Sequence, residues 1–208
     1  MTDALPRLVA RYEPLAAADA DAIVDAWGGA ETVAASDILL APGAVCRSLW
    51  FQDEGYGRFY AEPGGEDVTR HFVPPGTLFT VVASFYGGGP SREGLQAITA
   101  GRVRRLSQEA NARLAERVPA WDRFRRAYVR EVYDYLDRTV DALRSRTARE
   151  RYEAFVDEQP GVLLHVPLRY VASYLGMTPQ SLSRVRAQTA RAPELPDAKA
   201  PRPGGVAG

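Results

Sequence analysis

The chain reads as an α+β protein built from an antiparallel β jelly-roll, a long amphipathic helix and a C-terminal helix-turn-helix. Three features predict this: short β-type runs broken by proline and glycine turns, an unbroken helical period after residue 107, and a tight-turn signature between residues 166 and 186. With 208 residues the chain is long enough for one large or two small domains, each able to bury a core.

Residues 16 to 27 are alanine-rich and read as a helix stopped at Gly28-Gly29. The β-type runs follow at 37–40, 47–52, 57–61, 67–73, 77–82, 95–99 and 102–106. Pro42-Gly43, Glu54-Gly55, Pro63-Gly64-Gly65, Pro74-Pro75-Gly76 and Gly87-Gly88-Gly89-Pro90 punctuate them. Strands this short with turns this frequent predict a small antiparallel barrel, best fitted by an eight-stranded jelly-roll. Because Gly87-Gly88-Gly89 precedes Pro90 and a strand, it reads as a turn rather than a phosphate-binding loop opening a helix.

From Ser107 the period is helical. Trp121, Phe124, Tyr128, Val132, Tyr135, Leu136, Val140 and Leu143 recur every three or four residues amid Arg and Asp. A helix from about 120 to 144 spans roughly 35 to 40 Å, longer than the adjoining barrel needs. The stripe through Trp121, Phe124, Tyr128, Val132, Tyr135 and Leu136 therefore predicts pairing with the same helix of a second chain in a two-fold homodimer. Burial of the whole helix on its own barrel is the other option. A further helix, 147–158, points Tyr152, Phe155 and Val156 inward and stops at Gln159-Pro160-Gly161.

The segment Val166 to Arg186 carries the functional signal. Ala172 is small where two helices must approach, Gly176 supplies a left-handed exit, and Thr178-Pro179 gives an N-cap and first helical residue. Leu168, Val171, Ala172 and Leu175 form one buried stripe, and Leu182 with Val185 the other. Arg169, Thr178, Gln180, Ser181, Ser183, Arg184, Arg186 and Gln188 are left as the DNA-contacting set, side chains of the kind that reach base edges and phosphates. From Pro167 to Ala192 there are four arginines and no acid, as phosphate binding favours. A plain helical hairpin with a solvated face is the bland alternative, against which the small residue, glycine, cap and acid-free surface weigh together.

Charge is distributed to match. The chain is formally neutral, which argues against a polybasic protein that coats nucleic acid with its whole surface. Residues 1 to 143 hold 16 Arg and 20 acids, and residues 144 to 191 hold 8 Arg and 4 acids. An acidic sensor joined to a basic reader fits that asymmetry.

Domain boundaries are expected at 1–118 for the jelly-roll, 119–145 for the dimerisation helix and 146–191 for the reader. The tail, 192–208, has four prolines and few large apolar residues and is expected to be disordered.

One cysteine, Cys46, and two histidines, His71 and His165, cannot assemble a disulfide, an iron–sulfur cluster or a recognisable zinc site within one chain. No nucleophile is paired with a base, so neither catalytic nor metal-ligating residues are assigned and no enzyme activity is expected. Without a membrane-length apolar stretch or a signal-like N-terminus, the expected location is cytoplasmic.

Helix, jelly-roll, long helix and helix-turn-helix in that order resemble the cyclic AMP receptor protein family, the Crp/Fnr regulators, over roughly residues 15 to 190. Asp37 to Tyr60, with turn glycines Gly43 and Gly55, is similar to the family's opening strands. Arg149-Glu-Arg-Tyr-Glu-Ala-Phe155 and Tyr170-Val-Ala-Ser-Tyr-Leu-Gly-Met-Thr-Pro-Gln-Ser-Leu-Ser-Arg184 resemble its short-form members. The resemblance implies a cyclic-nucleotide-binding-like sensor domain, a homodimer, double-stranded promoter DNA and RNA polymerase as partners, and regulation by a small-molecule effector.

The effector segment departs from the family pattern. Where a Gly-Glu pair would hold a cyclic nucleotide's ribose, this chain has Thr80-Val81, and Arg92 is the nearest substitute for the phosphate arginine, with Glu93 beside it. Losing that carboxylate removes a charge-assisted hydrogen bond of about 1.5 to 3 kcal/mol. Cyclic AMP is thus not the expected effector and no cofactor is assigned. A different anion or an apolar ligand would use a pocket near Thr80, Ser84, Tyr86, Ser91 and Arg92, and a pocket packed shut is an equal alternative. The family's two-stranded wing has no counterpart after the recognition helix, and Pro179 stands where better-known members read a base with arginine. A second function class is therefore a ligand- or protein-binding module that has lost sequence-specific DNA recognition.

Overall fold

The computed structural model describes residues 4–189. Two short helices, α1 (Ala4–Ala10) and α2 (Ala17–Trp27), lead into eight strands: β1 (Glu31–Val33), β2 (Ile38–Leu40), β3 (Ser48–Glu54), β4 (Gly57–Ala61), β5 (Val68–Val73), β6 (Leu78–Phe79), β7 (Gly94–Ala97) and β8 (Gly101–Ser107). They form two four-stranded antiparallel sheets, ordered β1-β8-β3-β6 and β2-β7-β4-β5. This is the jelly-roll expected from the turn spacing.

Two local expectations differ. The three residues of β1 were not anticipated, since two of them are exposed and only Val33 carries a burial signal. The run 77–82 is strand only at Leu78–Phe79, and the chain then turns into α3 (Val82–Gly87). Two adjacent β-branched valines read as strand, but Phe85 is buried and Ser84 ties the segment to Cys46 and Gly89, so tertiary packing overrides propensity.

Ser107 caps α4 (Gln108–Arg117) through its hydroxyl, and α5 (Pro119–Ser145) follows as the long helix. The first turns of α5 belong to the barrel core. Trp121 and Phe124 are fully buried, with Trp121 edge-on to Trp27 at 6.0 Å and its indole N–H donating to Asn111 Oδ1 at 3.0 Å. The expectation that these two residues face a partner helix is thereby corrected: burying two large rings inside their own chain is worth several kcal/mol, on the order of 3–5 for each truncation.

Thr147 and Glu150 form a reciprocal capping box at the start of α6 (Ala148–Glu158). Pro160, expected only as a stop, also opens α7 (Pro160–His165), and α8 (Leu168–Tyr174) and α9 (Pro179–Thr189) complete the reader. A second core joins reader to barrel, in which Phe72 and Ile98 pack with Tyr152, Phe155, Val171 and Leu182. Arg191 and the expected disordered tail lie outside the described residues. Among the described residues no helix is long and apolar enough to cross a membrane, and no group of three His, Cys, Asp or Glu could hold a metal.

Candidate nucleic-acid interface and adjoining cavity

The turn between α8 and α9 has the chemistry its residues imply. Gly176 adopts φ +66°, its N–H donates to Ser173 O at 3.1 Å, and the Met177 N–H donates to Ala172 O at 3.0 Å. This paired bonding closes α8 in a Schellman turn. Thr178 then accepts the Ser181 N–H at 3.1 Å as the N-cap of α9. Leu182 and Val185 are buried against the rest of the reader, so the opposite side of α9 is turned outward.

That outward side holds most of the predicted set. Gln180, Ser183, Arg184, Arg186 and Gln188 are all exposed, and among the described residues neither Arg184 nor Arg186 is ion-paired. Thr178 is exposed but committed to its cap. Ser181 is half-buried and receives bonds from Thr178 at 3.0 Å and Arg184 at 3.4 Å. Arg169, on α8, stacks at 4.4 Å over the Tyr170 ring and donates to its hydroxyl at 3.1 Å. The arrangement presents amide, hydroxyl and guanidinium groups from one rigid helix, as groove recognition requires.

Between the barrel, α5 and the reader lies a cavity of about 1190 Å³. Of the five residues expected around an effector, Thr80 and Tyr86 line this cavity, whereas Ser84, Ser91 and Arg92 do not. The Ser84 hydroxyl accepts from Cys46 N–H at 2.9 Å and donates to Gly89 O at 2.5 Å. Ser91 is spent on both backbone groups of Glu93, and Arg92 is exposed. Their assignment to a ligand pocket is corrected accordingly: these hydroxyls hold the loop, and the guanidinium lies outside the cavity wall. Thr80 itself donates to Ser48 O at 2.8 Å.

The cavity wall includes two groups not singled out from sequence. Arg125, on α5, donates to Asp122 at 2.5 Å while its Nε–H has no partner among the described residues. His71 has a buried Nδ1 without a partner among the described residues and packs edge-on to Phe59 and Tyr135 at 6.0 and 6.2 Å. Burial, with the nearby Arg70 charge second, lowers the imidazole pKa to about 4. Glu93 also lines the wall, and burial raises its carboxyl. Apolar side chains such as Phe59, Phe79, Val132 and Leu136 make up much of the remainder.

The two sides of α5 have different tasks. Tyr128 donates to Leu78 O at 2.9 Å and Tyr135 meets Tyr174 at 2.8 Å, so the 121–124–128–132–135 stripe faces the chain's own barrel and reader. Tyr133, Val140 and Leu143 are 59%, 42% and 43% exposed. With half-buried Val129 and Leu136 they make a second stripe, 129–133–136–140–143, at alternating spacings of four and three. The stronger periodicity marked the intramolecular face. The weaker one, equally present in the sequence, carries the exposed apolar side chains Tyr133, Val140 and Leu143, while Val129, Tyr133, Leu136 and Leu143 also border the cavity and Val140 does not.

No protein-family model and no curated protein matches the chain. Solved structures do match. FixK2 from Bradyrhizobium japonicum aligns at 20% identity over 78% of this chain and 84% of its own, with a TM-score of 0.68. A CooA mutant from Carboxydothermus hydrogenoformans aligns at 15% identity over 92% and 86%, at 0.67. The c-di-GMP responsive global regulator CLP from Xanthomonas campestris aligns at 16% over 84% and 92%, at 0.64. The fold is that of these structures, over 78% to 92% of this chain and 84% to 92% of theirs.

Proposed function

We propose that this protein is a dimeric, sequence-specific DNA-binding transcription regulator of the Crp/Fnr type. The observation that carries the reading is the outward face of α9, where Gln180, Ser183, Arg184, Arg186 and Gln188 are exposed on a helix whose cap and preceding turn are hydrogen-bonded. Two such helices related by a two-fold axis would enter successive major grooves about 34 Å apart. The 129–133–136–140–143 stripe supports the dimer, because its spacing fits a two-helix seam and it leaves large apolar side chains in solvent in a single chain. Titration of a labelled duplex across a salt series tests the reading. A log–log slope corresponding to several released counterions is expected, and salt-independent or undetectable binding would count against it.

The effector belongs in the cavity beside α5. The wall offers no carboxylate at the Thr80-Val81 position, Ser84 and Ser91 are consumed by backbone, and Arg92 stands outside. These features count against a cyclic nucleotide held through that carboxylate and Arg92, and favour a largely apolar molecule with Arg125 as a polar partner.

A further inference from the structure

Strand β5 is the outer strand of its sheet, and an open strand edge must be covered or blunted. Here α8 of the reader covers it. The outward Thr69 N–H donates to Ser173 Oγ at 3.0 Å, and Phe72 packs on Tyr174 at 5.2 Å. Beside this contact lies Arg58 of β4, 2% exposed.

All five N–H donors of Arg58 are satisfied by the barrel itself. Asp67 accepts two at 2.5 and 2.6 Å, Gln96 Oε1 accepts two at 2.9 and 2.7 Å, and Thr69 Oγ1 accepts one at 3.0 Å. With its edge fully used, the guanidinium can meet the reader only through its flat face. Two rings lie over it, Tyr60 of the barrel at 4.9 Å and Tyr170 of α8 at 4.1 Å. The Tyr170 ring also carries Arg169 at 4.4 Å. A desolvated, pinned cation over an aromatic ring is the stronger form of this interaction, and Asp67 offsets the charge that would otherwise repel Arg169.

We propose that Arg58 and Tyr170 form a latch that holds α8 on the β5 edge and so sets the direction in which α9 is presented. Arg58, buried and touching α8 rather than presented on α9, is then a positioning residue for DNA binding. That consequence rests on the reading given above, whereas the latch stands on the interdomain contact alone.

The Thr69 amide reports the latch directly, because its hydrogen-bond partner belongs to the reader. In the full chain, Tyr170→Leu is expected to speed Thr69 amide exchange about tenfold and to leave the Leu95 amide, in the sheet interior, unchanged. Tyr170→Phe keeps the ring and should retain protection. Asp67→Asn, at a half-exposed side chain that touches no reader residue in these bonds, should also speed Thr69 exchange by releasing the guanidinium. Unchanged Thr69 protection in Tyr170→Leu or Asp67→Asn overturns the latch, as does equal loss in Tyr170→Phe. The same variants are titrated with a mixed-sequence 40-base-pair duplex at one salt concentration, where Tyr170→Leu should bind about tenfold more weakly. If the unaltered protein binds no duplex, the DNA reading fails while the exchange result still judges the latch.

Discussion

The Tyr135 hydroxyl of α5 meets the Tyr174 hydroxyl of α8 at 2.8 Å, and Gln159 donates to the same Tyr135 oxygen at 2.9 Å. One phenol therefore joins the long helix, the α6–α7 junction and α8. Burial, and secondarily the neighbouring Tyr135, push the Tyr174 phenol well above its ordinary range, so its hydroxyl stays protonated at neutral pH. Tyr135→Phe removes one partner from Tyr174, which keeps Thr139 and Gln159, and should cost about 0.5–1.5 kcal/mol in denaturant unfolding. An unchanged midpoint would mean that water replaces the lost hydroxyl without penalty.

His71 makes stability depend on pH in a defined direction. Its folded pKa, about 4, lies below the ordinary 6.5, so between those values the unfolded chain binds the proton that the folded chain refuses. This contribution is fully present above pH 6.5 and is lost as pH falls toward 4, amounting to roughly 2–3 kcal/mol. Unfolding of the unaltered protein and of His71→Phe at pH 7 and pH 5 should show a smaller pH effect in the variant. Equal slopes would remove His71 as the cause.

The two stripes of α5 should separate under mutation. Val140→Asp places a charge on the free face and is expected to convert dimer to monomer in sedimentation with little change in the helical content. Phe124→Ala, on the buried face, should lower unfolding stability by about 3–5 kcal/mol. Dissociation caused by Phe124→Ala in a still-folded chain, or none by Val140→Asp, would reverse the assignment.

Gly176 is required for its backbone and not for space. A Cβ there would meet Leu143 at an ordinary 3.8 Å, but φ is +66°. Gly176→Ala should therefore destabilise the reader by about 1–2 kcal/mol, visible as a lower melting temperature, whereas Gly176→Asn should be milder. A neutral alanine variant would argue that the turn relaxes to another geometry.

Much of this architecture was legible because its signals are local. Turn spacing announced the jelly-roll, and Gly176, Thr178 and Pro179 announced the reader's turn. What escaped was set by distant contacts. Trp121 and Phe124 form the most prominent apolar period on α5, yet periodicity does not say whether a helix faces its own chain or another, and Trp27 of α2 claims Trp121 while Tyr12 claims Phe124. Ser84 and Ser91 are small polar residues in a loop at the expected pocket, but their hydroxyls are consumed by backbone groups from Cys46, Gly89 and Glu93. His71 and Arg125 carried no motif. Only the packing of β5 and α5 brings both to one cavity wall.

Selection of bound fragments from random duplex DNA by the purified protein tests the central claim most directly. The account predicts enrichment of a two-fold symmetric sequence with half-site centres about 10 base pairs apart, lost or relaxed in Arg184→Ala at a cost of about 1–3 kcal/mol per half-site. Recovery of no sequence preference, or of the same site with unchanged affinity by Arg184→Ala, would contradict it.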